Sequence, residues 1–135
     1  MEGRITRRGE AVRASGCPWF GASGHIARTI LAVRRFNPAM RAAMNLRYSD
    51  ETLEALRGMG LVVSYYDRKE EPPESRRIEG NTTYWGAEQA VKRVGQVPDA
   101  IYHLGDWGKE PMIVLLGESA TQVALRAVEL TRRMT

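Results

Sequence analysis

The chain has 135 residues, a formal net charge of +4 and a sequence pI of about 9.6. This length favours a single domain over residues 1–135, and the lone Cys17 excludes an internal disulfide and a cysteine zinc cluster, which fits a reducing, cytoplasmic compartment. No apolar run is typical of the core of a signal peptide or of a membrane-spanning helix. The excess of basic residues favours an anionic partner, either nucleic acid or a phosphorylated metabolite.

The first predicted helix begins after Ser23 and runs to about residue 36. The Ser23 hydroxyl can accept a free backbone N–H, and the apolar residues at 26, 30 and 33 fall on one face. Asn37 and Pro38 are expected to end this helix and to open a short second one, because proline is tolerated at the first helical position.

The rest of the chain alternates between predicted strands and helices. The stretch MNLRY predicts a strand, SDETLEALRGMG a short helix and LVVSYY a buried strand. Residues 68–83, with paired prolines and dense mixed charge, are expected to form a surface loop. The next predicted elements are a helix over 85–94, the strands AIYH and MIVLL, and an amphipathic terminal helix. Helices that alternate with short strands predict a layered α/β or α+β domain.

The sequence FGASGH, residues 20–25, precedes the first helix and is the first candidate site. Small residues and free N–H groups at a helix start let an anion approach closely, so the turn suits a phosphate. The same pattern is the ordinary form of a capped helix after a glycine turn. His25 lies in the first turn, where the positive end of the helix dipole favours a neutral imidazole that can donate one proton. A surface or capping histidine is the simpler alternative.

Two further polar clusters follow predicted strands. In YHLGDWGKEPM, two glycines bracket Asp106, and Lys109 and Glu110 follow. This arrangement suits a magnesium diphosphate or simply a solvated hairpin turn. YYDRKEE delivers Asp67 and Arg68 to a strand end, where α/β sheets place ligands but where charged residues also simply meet water.

Six motifs taken together resemble a known family. They are GRI, WFGASGHIAR, MRAAMNLRYSDE, YYDRKEEP, EGNTTYWG and PDAIYHLGDWGKEPMI, in this order from Gly3 into the last predicted strand. This order is similar to that of the ThiN-type thiamine-phosphate synthase domain. The resemblance implies a three-layer α/β/α fold around a mixed, mostly antiparallel sheet, of the class II aldolase N-terminal (AraD-like) type.

The resemblance also implies a reaction. A thiamine-phosphate synthase joins hydroxymethylpyrimidine diphosphate to thiazole phosphate and releases pyrophosphate. These two small molecules would be the substrates, and Mg²⁺ would act with the diphosphate. The resemblance leaves open whether the protein binds the ion or the diphosphate carries it in. Relatives of this kind are fused to a kinase or a DNA-binding domain, and a homo-oligomer is expected.

Site residues follow from the resemblance by position. The essential arginine and histidine of the family map onto Arg4 and His25, with Arg4 on the diphosphate and His25 on a phosphate or leaving-group oxygen. The remaining expected contacts are Gly21, Ala22, Ser23, Gly24, Asn45, Arg47, Asp67, Arg68, Asp106, Gly108 and Lys109. A non-catalytic sensor domain of a transcription regulator is the alternative, and the presence of Arg4 and His25 favours the enzyme. A nucleic-acid binder, suggested by charge alone, is the weaker third interpretation.

Overall fold

The computed structural model describes residues 3–134, which form six strands and five α-helices. The strands are β1 (Ile5–Arg8), β2 (Ala11–Ala14), β3 (Ala42–Arg47), β4 (Val63–Tyr65), β5 (Ala100–His103) and β6 (Met112–Gly117). The helices are α1 (Gly24–Arg34), α2 (Asp50–Gly58), α3 (Pro73–Arg76), α4 (Asn81–Val94) and α5 (Ala120–Arg133), with a 3₁₀ turn at Arg68–Glu70. Within the described range, none of the helices combines the length and the apolar character needed to cross a membrane.

Four strands form the central sheet in the order β3-β6-β5-β4. β6 is antiparallel to both of its neighbours, β3 and β5, whereas β4 and β5 are parallel. The expected mixed, mostly antiparallel sheet is therefore confirmed, and so is the α/β class.

Helices cover both faces of this sheet because β6 is buried on both sides. Val114 and Leu116 point into a core formed with α1 and α4, whereas Ile113 and Leu115 pack into a second core with α2 and α5. A strand buried on both faces reads as a continuous apolar run, which is why MIVLL lacks the alternation of a half-exposed strand. The two cores give three layers, with the sheet in the middle.

Two expectations about local structure are wrong, and one element was not predicted. Residues 68–83 are not a loop, because they contain the 3₁₀ turn, α3 and the start of α4, which begins at Asn81 rather than at residue 85. The short helix after Pro38 is a turn, in which Ala39 N–H donates to Asn37 Oδ1 at 3.0 Å. The element that was not predicted is the β1–β2 hairpin.

Candidate active site at the first turns of two helices

The site forms around the first turn of α1. Ser23 caps this helix as expected, with its hydroxyl accepting the N–H of Ile26 at 3.4 Å. His25 follows in the first turn, and its backbone carbonyl accepts the Thr29 hydroxyl proton at 3.0 Å. The helix start therefore fixes the backbone of His25 and leaves its imidazole to project toward α4 and the sheet.

The His25 ring lies against α4. Its Nδ1 is 3.5 Å from the Thr83 hydroxyl oxygen, and its Nε2 is buried without a hydrogen-bond partner in the described part of the chain. Burial lowers the pKa of His25, and the positive charges of Arg28 and Arg68 lower it further. The expectation of a neutral ring is confirmed. Burial and the charges of two arginines favour the neutral form, whereas the sequence suggested the helix dipole as the cause.

His103 faces the same space from the end of β5. It is only 4% exposed, and its Nδ1 accepts the backbone N–H of Gly105 at 3.0 Å. Burial, followed by the charges of Arg68 and His25, lowers the pKa of His103 to about 4, so the ring is neutral near pH 7. A neutral imidazole whose Nδ1 accepts must carry its proton on Nε2, and His103 is therefore fixed as an Nε2–H donor.

A small cavity separates the two histidines. Its volume is about 10 Å³, which is about the space that one water molecule requires. Its lining residues come from α1, α4, β5 and β6, with Tyr66 directly after β4: His25, Thr29, Tyr66, Thr83, Ala87, Ile101, His103 and Val114. Burial raises the pKa of the Tyr66 hydroxyl to about 12 against the opposing charge of Arg68, so the hydroxyl also stays protonated. The titratable groups that line the cavity are thus uncharged near pH 7, and its other walls include Ala87, Ile101 and Val114.

Two arginines form the positive part of the site. Arg28 lies one turn after Gly24, and its guanidinium packs against Gly24 and against Gly80, the residue before α4. A Cβ at Gly80 would come within 2.8 Å of the Arg28 Cδ, so a side chain there would displace Arg28. The Nε atoms of Arg28 and Arg68 are both buried without a hydrogen-bond partner among residues 3–134.

The contact of Arg28 with Gly80 also shows that α1 and α4 start side by side. Helix starts carry free N–H groups and a partial positive charge, which favour an anion. Planar guanidinium groups add charge-assisted hydrogen bonds of the kind that phosphate oxygens accept. Two helix starts and two arginines therefore make this end of the domain suited to a phosphate or a diphosphate.

The sheet extends the site toward β3. Asn45 pairs with Val114 and Arg47 with Met112, and both apolar residues belong to the α1/α4 side of the sheet. Opposite residues of antiparallel strands share a face, so Asn45 and Arg47 lie on the side that carries His103. Both are exposed, and the structure thus brings these two expected residues onto the site face.

Other expected residues have local roles in this structure. Asp67 caps the 3₁₀ turn, with its Oδ1 accepting the Lys69 N–H at 2.9 Å. Asp106 and Lys109 pair through their backbones in the exposed turn after β5, which also contains Gly108. Gly21 and Ala22 lie in the loop that leads to Ser23. Whether any of these contacts a substrate stays a prediction.

Arg4 is set apart from the other expected residues. It lies at the base of the β1–β2 hairpin, where its carbonyl accepts both the N–H and the hydroxyl of Ser15. Its side chain is exposed. The contact of Arg4 with a diphosphate stays a prediction.

Sequence reasoning missed Arg28, Thr83 and Gly80 as site residues. Arg28 could have been found, because a residue three positions after His25 lies on the same side of a helix. Thr83 and Gly80 gave no such signal, since they were assigned to a loop and reach the site only through the packing of α4 on α1.

The donor set does not fit a protein-held metal ion. Among residues 3–134, no group of three or more His, Cys, Asp or Glu side chains is placed to hold one.

Comparison with known proteins decides the family. The family model described as thiamine-phosphate synthase ThiN matches residues 1–129. The chain belongs to the ThiN family. It is 44% identical to the thiamine-phosphate synthase ThiN of Methanothermobacter thermautotrophicus over 133 residues, covering 98% of this chain and 70% of that protein.

Two further relatives carry a similar domain within larger proteins. The bifunctional thiamine biosynthesis protein ThiDN of Methanocaldococcus jannaschii is 44% identical over 115 residues, which are 85% of this chain and 26% of that protein. A crystal structure of the C-terminal domain of a phosphomethylpyrimidine kinase superposes with a TM-score of 0.87 at 47% identity, covering 96% of this chain and 72% of that one. Relatives of this ThiN domain are thus fused to a kinase, as expected.

Proposed function

We propose that this ThiN domain is a thiamine-phosphate synthase that joins hydroxymethylpyrimidine diphosphate to thiazole phosphate, releasing pyrophosphate and thiamine phosphate. The relative that carries this name aligns over nearly the whole chain. The observation that carries the proposal is the cluster of His25, Arg28, Arg68 and His103 at the adjacent starts of α1 and α4.

The reaction requires a site that stabilises a departing anion. As the bond between the pyrimidine methylene and the diphosphate oxygen breaks, the methylene becomes cation-like and negative charge grows on the diphosphate. The thiazole nitrogen then forms the new bond to the methylene, and pyrophosphate leaves with the electron pair. Fixed positive groups that are already desolvated stabilise such charge without reorganising. Arg28 and Arg68, with their buried Nε–H groups, fit this task.

The two histidines are proposed to act as neutral donors. His103 presents its Nε2–H to the cavity, and His25 has one proton to share between Nδ1 and Nε2. Each can hold a phosphate or leaving-group oxygen without removing a proton from the substrate, which the reaction does not require. Burial, together with the charge of Arg68, lowers the pKa of both rings and so favours their neutral forms.

The remaining site assignments are proposals from position. Asn45 and Arg47 lie where they could orient the second ring on the sheet face. Arg4 is assigned to the diphosphate, although it is exposed in one chain. Asp67, Gly108 and the exposed turn with Asp106 and Lys109 are assigned to the outer edge of the site.

Four finer points are also proposals. Mg²⁺ is proposed to arrive with the diphosphate, which agrees with a donor set that does not fit a protein-held ion. The AraD-like fold type and the cytoplasmic location are inferred from the family resemblance and from the single cysteine. A homo-oligomer is inferred in the same way.

The test is formation of thiamine phosphate, measured as thiochrome fluorescence with both substrates and Mg²⁺. The wild-type protein should make product, and Arg68→Gln should lower kcat by roughly 100-fold, the usual loss when one donor to a developing anion is removed. Arg57→Gln is the matched control, because Arg57 is exposed and pairs with Glu54 on α2. A wild-type protein that makes no product but binds thiamine phosphate would instead be the non-catalytic sensor.

A further inference from the structure

Thr83 in the first turn of α4 contacts the ring of His25. Its backbone N–H donates to the carbonyl oxygen of Gly80 at 3.3 Å, which fixes the residue at the helix start. Its hydroxyl oxygen lies 3.5 Å from His25 Nδ1, and both residues line the small cavity. The other ring nitrogen of His25, Nε2, is buried without a partner among residues 3–134. Thr83 is therefore placed to decide which of the two ring nitrogens carries the proton.

The hydroxyl of Thr83 is directed away from its own helix. A threonine inside a helix commonly donates to the carbonyl four residues earlier, as Thr29 does to His25 at 3.0 Å. Thr83 makes no such bond within the described part of the chain, and its hydroxyl instead contacts the ring on the neighbouring helix α1. The contact joins residues 58 positions apart, so it serves the junction of the two helices rather than α4 alone.

A hydrogen bond between a hydroxyl and a neutral imidazole can run in either direction. If His25 Nδ1 donates, the hydroxyl proton of Thr83 has no acceptor among residues 3–134. If Nδ1 accepts, that proton is used, and the ring carries its own proton on Nε2. An unpaired donor in a half-buried position costs free energy, which favours the second arrangement.

The groups around the cavity also favour a proton on His25 Nε2. His103 presents an Nε2–H to the same space, and the Nε–H groups of Arg28 and Arg68 are buried without a partner in the described range. An occupant held by these donors must be an acceptor, such as a phosphate oxygen. A lone pair on His25 Nε2 would repel that oxygen, whereas an Nε2–H adds one more donor to it.

We propose that Thr83 is the positioning residue of His25: its hydroxyl donates to Nδ1 and holds the ring as an Nε2–H donor toward a substrate oxygen. The tautomer follows from the contact between α1 and α4. The assignment of the acceptor as an oxygen of the diphosphate rests on the proposed function. Thr83 reaches the reaction only through the ring of His25.

Nitrogen-15 NMR of the His25 ring at pH 7.5 is the first test, and it needs no activity. The wild-type ring should carry its proton on Nε2 and show an Nδ1 resonance typical of a hydrogen-bonded acceptor. Thr83→Val removes the hydroxyl, so the Nδ1 resonance should move toward that of a free acceptor, whereas Thr83→Ser should keep the wild-type position. A wild-type proton on Nδ1, or an Nδ1 resonance that does not move in Thr83→Val, would overturn the proposal.

Thr82→Val is the matched control for both tests. Thr82 is the same residue type in the same turn of α4 and is also half-buried, but within residues 3–134 its side chain makes no hydrogen bond to His25. This variant should keep the wild-type resonances of the His25 ring and the wild-type kinetics.

Steady-state formation of thiamine phosphate is the second test. Thr83→Val should lower kcat roughly tenfold and change KM little, because the orientation of the ring matters most as charge grows on the leaving oxygen. Thr83→Ser should retain most of the wild-type kcat. A kcat of Thr83→Val equal to that of the wild type would overturn the positioning role. If the wild-type protein makes no thiamine phosphate, the proposed function fails, while the NMR resonances still decide the contact of Thr83 with His25.

Discussion

Lowering the pH should destabilise this domain through His103. The folded protein holds its pKa at about 4, because the ring is buried and faces Arg68 and His25, whereas an unfolded histidine has a pKa of about 6.5. The unfolded state therefore binds a proton first as the pH falls. The stability held by the neutral ring is complete above about pH 6.5 and is lost progressively down to about pH 4.

The size of the effect follows from the shift. A difference of about 2.5 pKa units corresponds to about 3 kcal/mol once the pH is below both values, and to about 2 kcal/mol between pH 7.5 and 5.0. His103 is 4% exposed, so little solvent screening reduces this figure. Burial also lowers the pKa of His25, which adds a loss of the same sign.

Urea unfolding of the wild type and of His103→Asn at pH 7.5 and 5.0 measures this contribution. Asparagine does not titrate, and its Oδ1 can still accept the Gly105 N–H. The wild type should lose about 2 kcal/mol more than the variant over this interval, because the carboxylates and His25 contribute equally to both. Equal losses in the two proteins would refute the reasoning that His103 is buried and neutral.

Three other predictions concern two close contacts and the tautomer of His103. Gly80→Ala should lower kcat/KM roughly tenfold, since the new Cβ would displace Arg28 and weaken a charge-assisted contact with the diphosphate. Unchanged kinetics would show that Arg28 does not contact the substrate. Gly86→Ala would place a Cβ 2.6 Å from Cζ of the buried Tyr66 ring. Urea unfolding should therefore show a free energy of unfolding about 1–3 kcal/mol below that of the wild type, and an unchanged value would contradict this packing. In ¹⁵N NMR at pH 7, His103 should show its proton on Nε2, and a proton on Nδ1 would contradict the Gly105 hydrogen bond.

Local signals predicted the elements that depend on local chemistry. The Ser23 cap was identified correctly because a cap is a contact between residues three apart, and the apolar run of β6 identified a buried strand. The start of α4 had no such signal. Its N-cap is Gly80 in a left-handed conformation, and this residue contributes no side-chain hydrogen bond. The preceding prolines look like a loop, yet Pro73 opens α3 at the position where a helix tolerates proline.

The site could be predicted only in part for a related reason. His25 was identified from its place at a helix start, and Arg68 from its place at a strand end. The contact of His25 with Thr83 joins residues 58 positions apart and arises from the packing of α4 on α1. No local pattern encodes that contact. The pairing of His103 with His25 across a cavity likewise requires the strand order of the sheet.

Binding of inorganic pyrophosphate, measured by calorimetry, tests most directly whether the paired helix starts hold the departing diphosphate. Loss of a charge-assisted hydrogen bond costs about 1.5–3 kcal/mol, so Arg68→Gln should weaken binding by at least about tenfold, while Arg57→Gln should bind as the wild type does. Equal affinities for the wild type and for Arg68→Gln would contradict the assignment of this cluster as the diphosphate site.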